Sequence, residues 1–308
     1  EKTTFFQQAK VSFVCSTIST LISRLCFYPV DTVRVQLQIY DEPIRSRKNV
    51  IQQQKAFQTA KRIFQQKGVA GFYSGFRAVL VGAIPASCAY LVTYDITKKA
   101  LIQNNIIDQS SNIALPLVAA TQAQCVSSLF WLPLDIIKQR SQAASGRIYS
   151  QRLSTELEIA KDIYRRYGVT GFYRGLFSSL VTWVPYGCIY FLCFENAKRY
   201  FLDLPFFQDF RAPLAYPVSA ACAGVIASFA TSPASAILTR VQVFDDALGA
   251  KKTNGMRLFF STGKELWQNY GLRRGLFRGA TTRMMTLAPQ SAVQLGLFEN
   301  LKILIGQS

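Results

Sequence analysis

An all-α membrane protein is the fold class this sequence predicts: six transmembrane helices in three pseudo-symmetric repeats, each repeat carrying a short amphipathic helix on one membrane side. Three observations predict it. Half of the residues are hydrophobic and only 17% are charged. Six apolar stretches are each about 20 residues long, enough to cross a hydrocarbon core of roughly 30 Å. Short motifs recur in three copies at intervals of 100 and 104 residues, which marks internal repetition.

The apolar stretches lie near residues 11–33, 75–97, 113–134, 175–197, 214–239 and 279–298. A net charge of +18 would point to nucleic acid if it covered one soluble face, but it follows the membrane pattern instead. Residues 41–67 hold seven Lys and Arg against two Asp and Glu, residues 143–174 six against three, and residues 243–279 seven against three. The alternate loops, 95–112 and 195–211, are neutral. The positive-inside bias therefore sets the three long loops on one side and both termini on the other. Nucleic acid is not an expected partner. No cleavable secretory signal is visible near the start, so secretion is not expected.

The repeats are read from three motif series. Pro29-Val-Asp31, Pro133-Leu-Asp135 and Pro233-Ala-Ser235 close the odd spans; Gly71–Gly75, Gly171–Gly175 and Gly275–Gly279 precede the even ones. Tyr94-Asp95 with Lys98, Phe194-Glu195 with Lys198, and Phe298-Glu299 with Lys302 end the even spans. One domain over 1–308 is expected, with repeats at 8–104, 112–204 and 213–304. Within each, an odd span runs into a basic loop, an amphipathic segment, a glycine turn and a returning span. In the first repeat that segment is Ala56–Gln66, where Ala56, Phe57, Ala60, Ile63 and Phe64 recur at helical spacing, as suits a helix lying along a basic membrane surface.

Proline inside a span removes a backbone hydrogen bond and bends the helix, so Pro29, Pro133 and Pro233 are expected to tilt three helix ends inward. The acids and bases just beyond, Asp31 with Arg34 and Asp135 with Lys138, are costly in a bilayer unless paired or facing water. Three-fold arrangement lets the acid of one repeat meet the base of the next. At the other end Asp95, Glu195 and Glu299 with Lys98, Lys198 and Lys302 form the same kind of set. Two rings at opposite ends of a central cavity make a two-gate device. As single copies these would be local helix pairs worth a few tenths of a kcal/mol; their recurrence in register argues for more.

These residues resemble the mitochondrial carrier family over almost the whole chain, from about Ser12 to Lys302. The shared signature is P-x-[DE]-x-x-[KR] on odd helices and [FY]-[DE]-x-x-[KR] on even ones. The resemblance implies a three-fold bundle in the mitochondrial inner membrane, multi-pass, with the basic loops and amphipathic helices on the matrix side and both termini toward the intermembrane space. It implies alternating access of one central site to either face. A matrix gate of Asp31, Arg34, Asp135 and Lys138 follows, braced by Gln38, Gln142 and Gln242, and an intermembrane-space gate of Asp95, Lys98, Glu195, Lys198, Glu299, Lys302 and Tyr94. The expected partners are a small-molecule solute and membrane lipid, including cardiolipin on the matrix side.

The third repeat departs from the signature, with Ser235 in place of the acid and Leu238 in place of the base. Only the Asp31–Lys138 bridge is then complete; Asp135 would face Leu238 and Arg34 would face Ser235, a weakened matrix gate. Two readings follow: a working solute carrier, or a carrier fold kept as an accessory subunit of a respiratory-chain complex.

The family's even-helix contact positions, thirteen residues before each acid, select Gly82, Thr182 with its neighbour Trp183, and Thr286. Arg24, five residues before Pro29, and Arg283, one turn before Thr286, are the cations placed to face the cavity, and two arginines suit a carboxylate or phosphate. The second span and Arg283-Met284-Met285 are similar to the S-adenosylmethionine carrier branch, though Thr182-Trp183 stands where that branch has a charged pair. Enzymatic activity is not expected: the sequence has no histidine, and neither a phosphate-binding glycine loop nor paired carboxylates outside the repeats. No cofactor or metal is expected. The seven cysteines (Cys15, Cys26, Cys88, Cys125, Cys188, Cys193, Cys222) have no ligand spacing and read as small apolar side chains. Ala119-Ala120 and Ala220–Gly224 read as close helix packing. Phe206-Phe207 and Phe259-Phe260 read as interface anchors or protein contacts.

Overall fold

The computed structural model describes residues 2–39, 52–104, 114–144, 156–204, 212–243 and 255–306. Its elements are α1 (Lys2–Ile39), α2 (Gln52–Lys67), α3 (Phe76–Gln103), α4 (Ala114–Ala144), α5 (Glu156–Tyr167), α6 (Leu176–Asp203), α7 (Ala212–Ala230), α8 (Ser232–Val243), α9 (Gly255–Gly271) and α10 (Ala280–Gly306). No strand occurs among the described residues. Long rods alternate with the short helices α2, α5 and α9, so each repeat is rod, short helix, tight turn and returning rod.

Three rods are long and apolar enough to cross a membrane, Val69–Gln103, Ala114–Ala143 and Val169–Asp203, and Leu214–Ala230 with Ser232–Val243 qualifies as a bent pair. The remaining two, α1 and α10, have 38 and 27 residues, about 57 and 40 Å at 1.5 Å per residue. They are less apolar because Ser16, Ser19 and Arg24 on one, and Gln290, Ser291 and Gln294 on the other, face an internal cavity. The rods close a ring: α1 packs on α3 and α10, α4 joins α3 to α6, and α7 joins α6 to α10. At one end the odd rods α1, α4 and α8 also touch one another, which shuts the ring there.

Small residues set the close approaches. Ala119, Ala123, Ala220, Ala223 and Ala227 are fully buried, and a Cβ at Gly224 would come within 3.0 Å of Ala288 Cα, so α7 and α10 pack nearly backbone to backbone. Gly75, Gly175 and Gly279 start the three even rods at φ of +82°, +90° and +78°, a left-handed conformation that other residues adopt at a cost.

The prolines do not act alike. Pro29 and Pro133 lie inside the uninterrupted α1 and α4, whereas the third odd rod breaks before Pro233 with a bend of 66°. At Pro29 and Pro133 the helix runs on through the proline, and only the third site is also a break. Its surroundings explain it: Thr231 and Ser232 donate their hydroxyls to the carbonyls of Ala227 (2.8 Å) and Ser228 (2.6 Å), back-bonding that bends a helix already missing the proline N–H.

The short helices are split across two environments. On α2, Ile63 is buried with Ala56 and Ala60 against Val33 and Leu37, while Phe57 and Phe64 stay exposed. On α9, Phe259 is buried and meets the Phe177 ring edge-on at 5.9 Å, while Phe260 and Trp267 are exposed. Only Phe260 of that pair faces outward; Phe206-Phe207 lie outside the described residues.

Candidate functional site

A cavity of about 520 Å³ lies along the ring axis. Its floor, at the end where α1, α4 and α8 meet, is Asp31, Arg34, Asp135, Lys138, Ser235, Leu238 and Thr239. One wall is aromatic: Trp183, Tyr186 and Tyr190 project from one face of α6, with Tyr186 stacked on Tyr190 at 6.0 Å and Tyr190 on Phe194 at 6.2 Å. The facing wall holds Arg24, whose guanidinium sits 4.5 Å from the Trp131 ring centroid, a cation–π contact. The helix α10 adds Gln290, Ser291, Gln294 and Phe298 at helical spacing.

The floor is a mesh of side chains from different repeats. Lys138 Nζ is 2.6 Å from Asp31 Oδ2, and Arg34 contacts Asp31 Oδ1 at 3.1 Å. Arg34 also donates to Ser235 Oγ at 2.9 Å. Asp135 Oδ2 accepts from Gln139 at 3.0 Å and Gln242 at 3.1 Å. Gln142 donates to Thr32 at 3.1 Å, and Gln38 accepts from Thr239 at 2.9 Å. Gln38, Gln142 and Gln242 thus each reach a neighbouring repeat, while Gln139 stays on its own helix. Because the group is largely buried, removing one partner strands the other in a low-dielectric setting.

The described part of the opposite ring has no ion pair within it. Among the described residues Asp95, Lys98, Glu195 and Lys198 form no ion pair with one another. Asp95 and Lys98 are exposed, Lys198 lies 5.3 Å from the Tyr216 ring, and Tyr94 stacks on Tyr90 at 6.4 Å. The side chains of Glu299 and Lys302 lie outside the described residues.

Of the six residues selected from the sequence for solute contact, the structure brings Arg24 and Trp183 to the cavity. Gly82 instead meets α4: a Cβ there would lie 2.6 Å from Leu134 Cδ1. Thr182 and Thr286 are buried, their hydroxyls turned back to the carbonyls of Ser178 (2.7 Å) and Thr282 (2.8 Å). Arg283 is fully buried, with all three guanidinium nitrogens lacking a hydrogen-bond partner. It stands behind the aromatic wall, 5.8 Å from the Trp183 ring and 5.6 Å from the Tyr186 ring. Sequence reasoning missed Trp131, Tyr186, Tyr190, Gln290 and Gln294. The signal for the tyrosines was present, since they lie three and seven residues beyond Trp183, one face of a helix.

The floor also bears on metals: no group of three or more His, Cys, Asp or Glu that would hold an ion occurs among the described residues. The described cysteines are all free.

Comparison with known proteins places this geometry. The mitochondrial carrier protein family model matches residues 7–105, 109–204 and 211–308. Mitoferrin of Dictyostelium discoideum is 27% identical over 292 residues, which is 91% of this chain and 89% of that protein. The succinate/fumarate mitochondrial transporter of Saccharomyces cerevisiae is 25% identical, covering 94% of this chain and 89% of its own length. The mitochondrial S-adenosylmethionine carrier protein of Xenopus tropicalis is 26% identical, covering 91% of both.

Proposed function

The chain belongs to the mitochondrial carrier family and is a multi-pass solute transporter of the mitochondrial inner membrane; on that premise we propose that its central cavity takes a small solute bearing a carboxylate or phosphate and offers it alternately to the two faces. The observation that carries this reading is Arg24. Its guanidinium lines the cavity and meets Trp131, and it has no ion-pair partner among the described residues. An arginine held inside a span without a counter-ion is costly, and an arriving anion relieves that cost with bidentate geometry.

The two ends support a state closed toward the matrix and open toward the intermembrane space. Asp31, Arg34, Lys138, Asp135 and the three glutamines act as the matrix gate; Asp95, Lys98, Glu195 and Lys198, not paired with one another here, act with Glu299 and Lys302 as the other. The basic loops then face the matrix and the termini the intermembrane space. The helices α2, α5 and α9 lie along the matrix surface, where anionic lipid, cardiolipin included, meets their Lys and Arg. Arg283 is a second cation for the solute, reached once Trp183 or Tyr186 turns.

The test is a thermal-shift screen of the purified protein against nucleotides, keto acids, amino acids and methyl donors, repeated with Arg24→Ala. A ligand that binds only the folded state raises its melting temperature according to concentration over Kd. A shift with one solute class, lost in Arg24→Ala, is the expected result. No shift from any solute, in a protein that melts cooperatively, would contradict it and turn attention to association with respiratory-chain subunits.

A further inference from the structure

The floor charges of the cavity cancel as a set but not in space. Asp31 holds two cations, Lys138 at 2.6 Å and Arg34 at 3.1 Å. Asp135, the matching carboxylate one repeat on, holds none among the described residues: Oδ2 takes two amide bonds, from Gln139 and Gln242, and Oδ1 takes no bond. Neutral amides satisfy an acceptor without cancelling its charge, and a carboxylate left in that state in a low-dielectric interior is expensive. The cause is local. Leu238, one turn before Gln242 on α8, occupies the position from which a base would have neutralised Asp135, and both Leu238 and Asp135 line the cavity.

In the same cavity Arg24 is the reverse case, a guanidinium with an aromatic neighbour, an unpartnered Nε and no carboxylate at ion-pair distance among the described residues. One cation and one anion, neither held in an ion pair among the described residues, thus face a space of about 520 Å³. From these two groups, and resting on the transporter reading above, we propose that the solute is a zwitterion: its anionic group is taken by Arg24 and its cationic group by Asp135. Of the aromatic wall, Tyr190 suits the cationic part as well, since a ring face attracts a positive charge, whereas Trp183 and Tyr186 already carry Arg283. The loss of the third-repeat base then does more than weaken a gate; it converts a gate carboxylate into a binding group.

The experiment uses the full-length protein in detergent and three charge classes of solute: zwitterions (amino acids, betaines, aminophosphonates), anions lacking a cationic group (keto acids, dicarboxylates) and cations lacking an anionic one (choline, polyamines). Melting shifts are read for the wild type, Asp135→Asn and Leu238→Lys. The expected result is stabilisation by a zwitterion, with its apparent affinity falling by about tenfold or more in both variants, as for loss of a buried charge partner. Leu238→Lys guards against misreading an unfolded variant, because it supplies Asp135 with an internal ammonium and leaves the protein at least as stable as the wild type. Stabilisation by anions alone, undiminished in Asp135→Asn, would overturn the zwitterion while leaving the transporter reading intact. So would stabilisation by cations alone, or a zwitterion bound equally by all three proteins. No shift from any class would remove both readings.

Discussion

Two junctions on the cavity floor carry the same motif and are held in different ways. Between the first and second repeats, Asp31 and Lys138 meet directly at 2.6 Å, with Arg34 as a second cation. Between the second and third, Asp135 meets Gln242 through a neutral amide at 3.1 Å, and where the third meets the first, Arg34 reaches a hydroxyl, that of Ser235 at 2.9 Å, in place of a carboxylate. Two side chains, Ser235 and Leu238, make the difference. The comparison teaches that a three-fold frame does not require three equal contacts: glutamines hold the backbone ends in register where the ion pair is gone, at lower strength and with charge left over.

The largest way to break that contrast is at the strong junction. Lys138→Met leaves Asp31 with a partner only on its own helix, and the loss of a mostly buried charge partner is expected to cost about 3 kcal/mol, read as a fall in melting temperature in detergent. At the weak junction, Gln242→Ala removes an amide bond to a carboxylate and should cost about 1.5 kcal/mol; a loss as large as that of Lys138→Met would mean that the two junctions are equivalent after all. Leu238→Lys sharpens the comparison from the other direction. An ammonium beside Asp135 should raise stability by about 1 kcal/mol and slow transport, because the matrix side opens less readily. Smallest of the four, Ser235→Asp gives Arg34 a carboxylate in another repeat; both sites are buried, so desolvation offsets most of the gain, and the expected outcome is a melting temperature close to the wild type's that falls sharply when Arg34 is also changed to Ala.

The frame was legible in the sequence because its markers are local: a proline followed by an acid, a glycine turn, an acid followed by a lysine, each repeated at a fixed interval. Even the contact between Asp31 and Lys138, 107 residues apart, follows once the repeats are superposed. The cavity wall was less legible. Counting back from Asp95, Glu195 and Glu299 finds a level along each even helix but not the face turned inward: Gly82 meets α4, Thr182 and Thr286 are buried with their hydroxyls bonded back to their own helices, and the residues that line the cavity on α10 begin at Leu287. The bend at the third proline depended on hydroxyls at Thr231 and Ser232, which the other two repeats replace with Phe27-Tyr28 and Trp131-Leu132. Phe259 and Phe260 look alike in sequence and part only when α9 packs against Ile237 and Phe177.

The most direct measurement is uptake of a stabilising solute into liposomes carrying the wild-type protein or Arg24→Ala. The expected result is saturable uptake by the wild type and a loss of about tenfold or more in a variant that still melts cooperatively. Equal uptake by the two proteins would contradict the placing of the solute at Arg24, and no uptake by the wild type would contradict transport through this cavity.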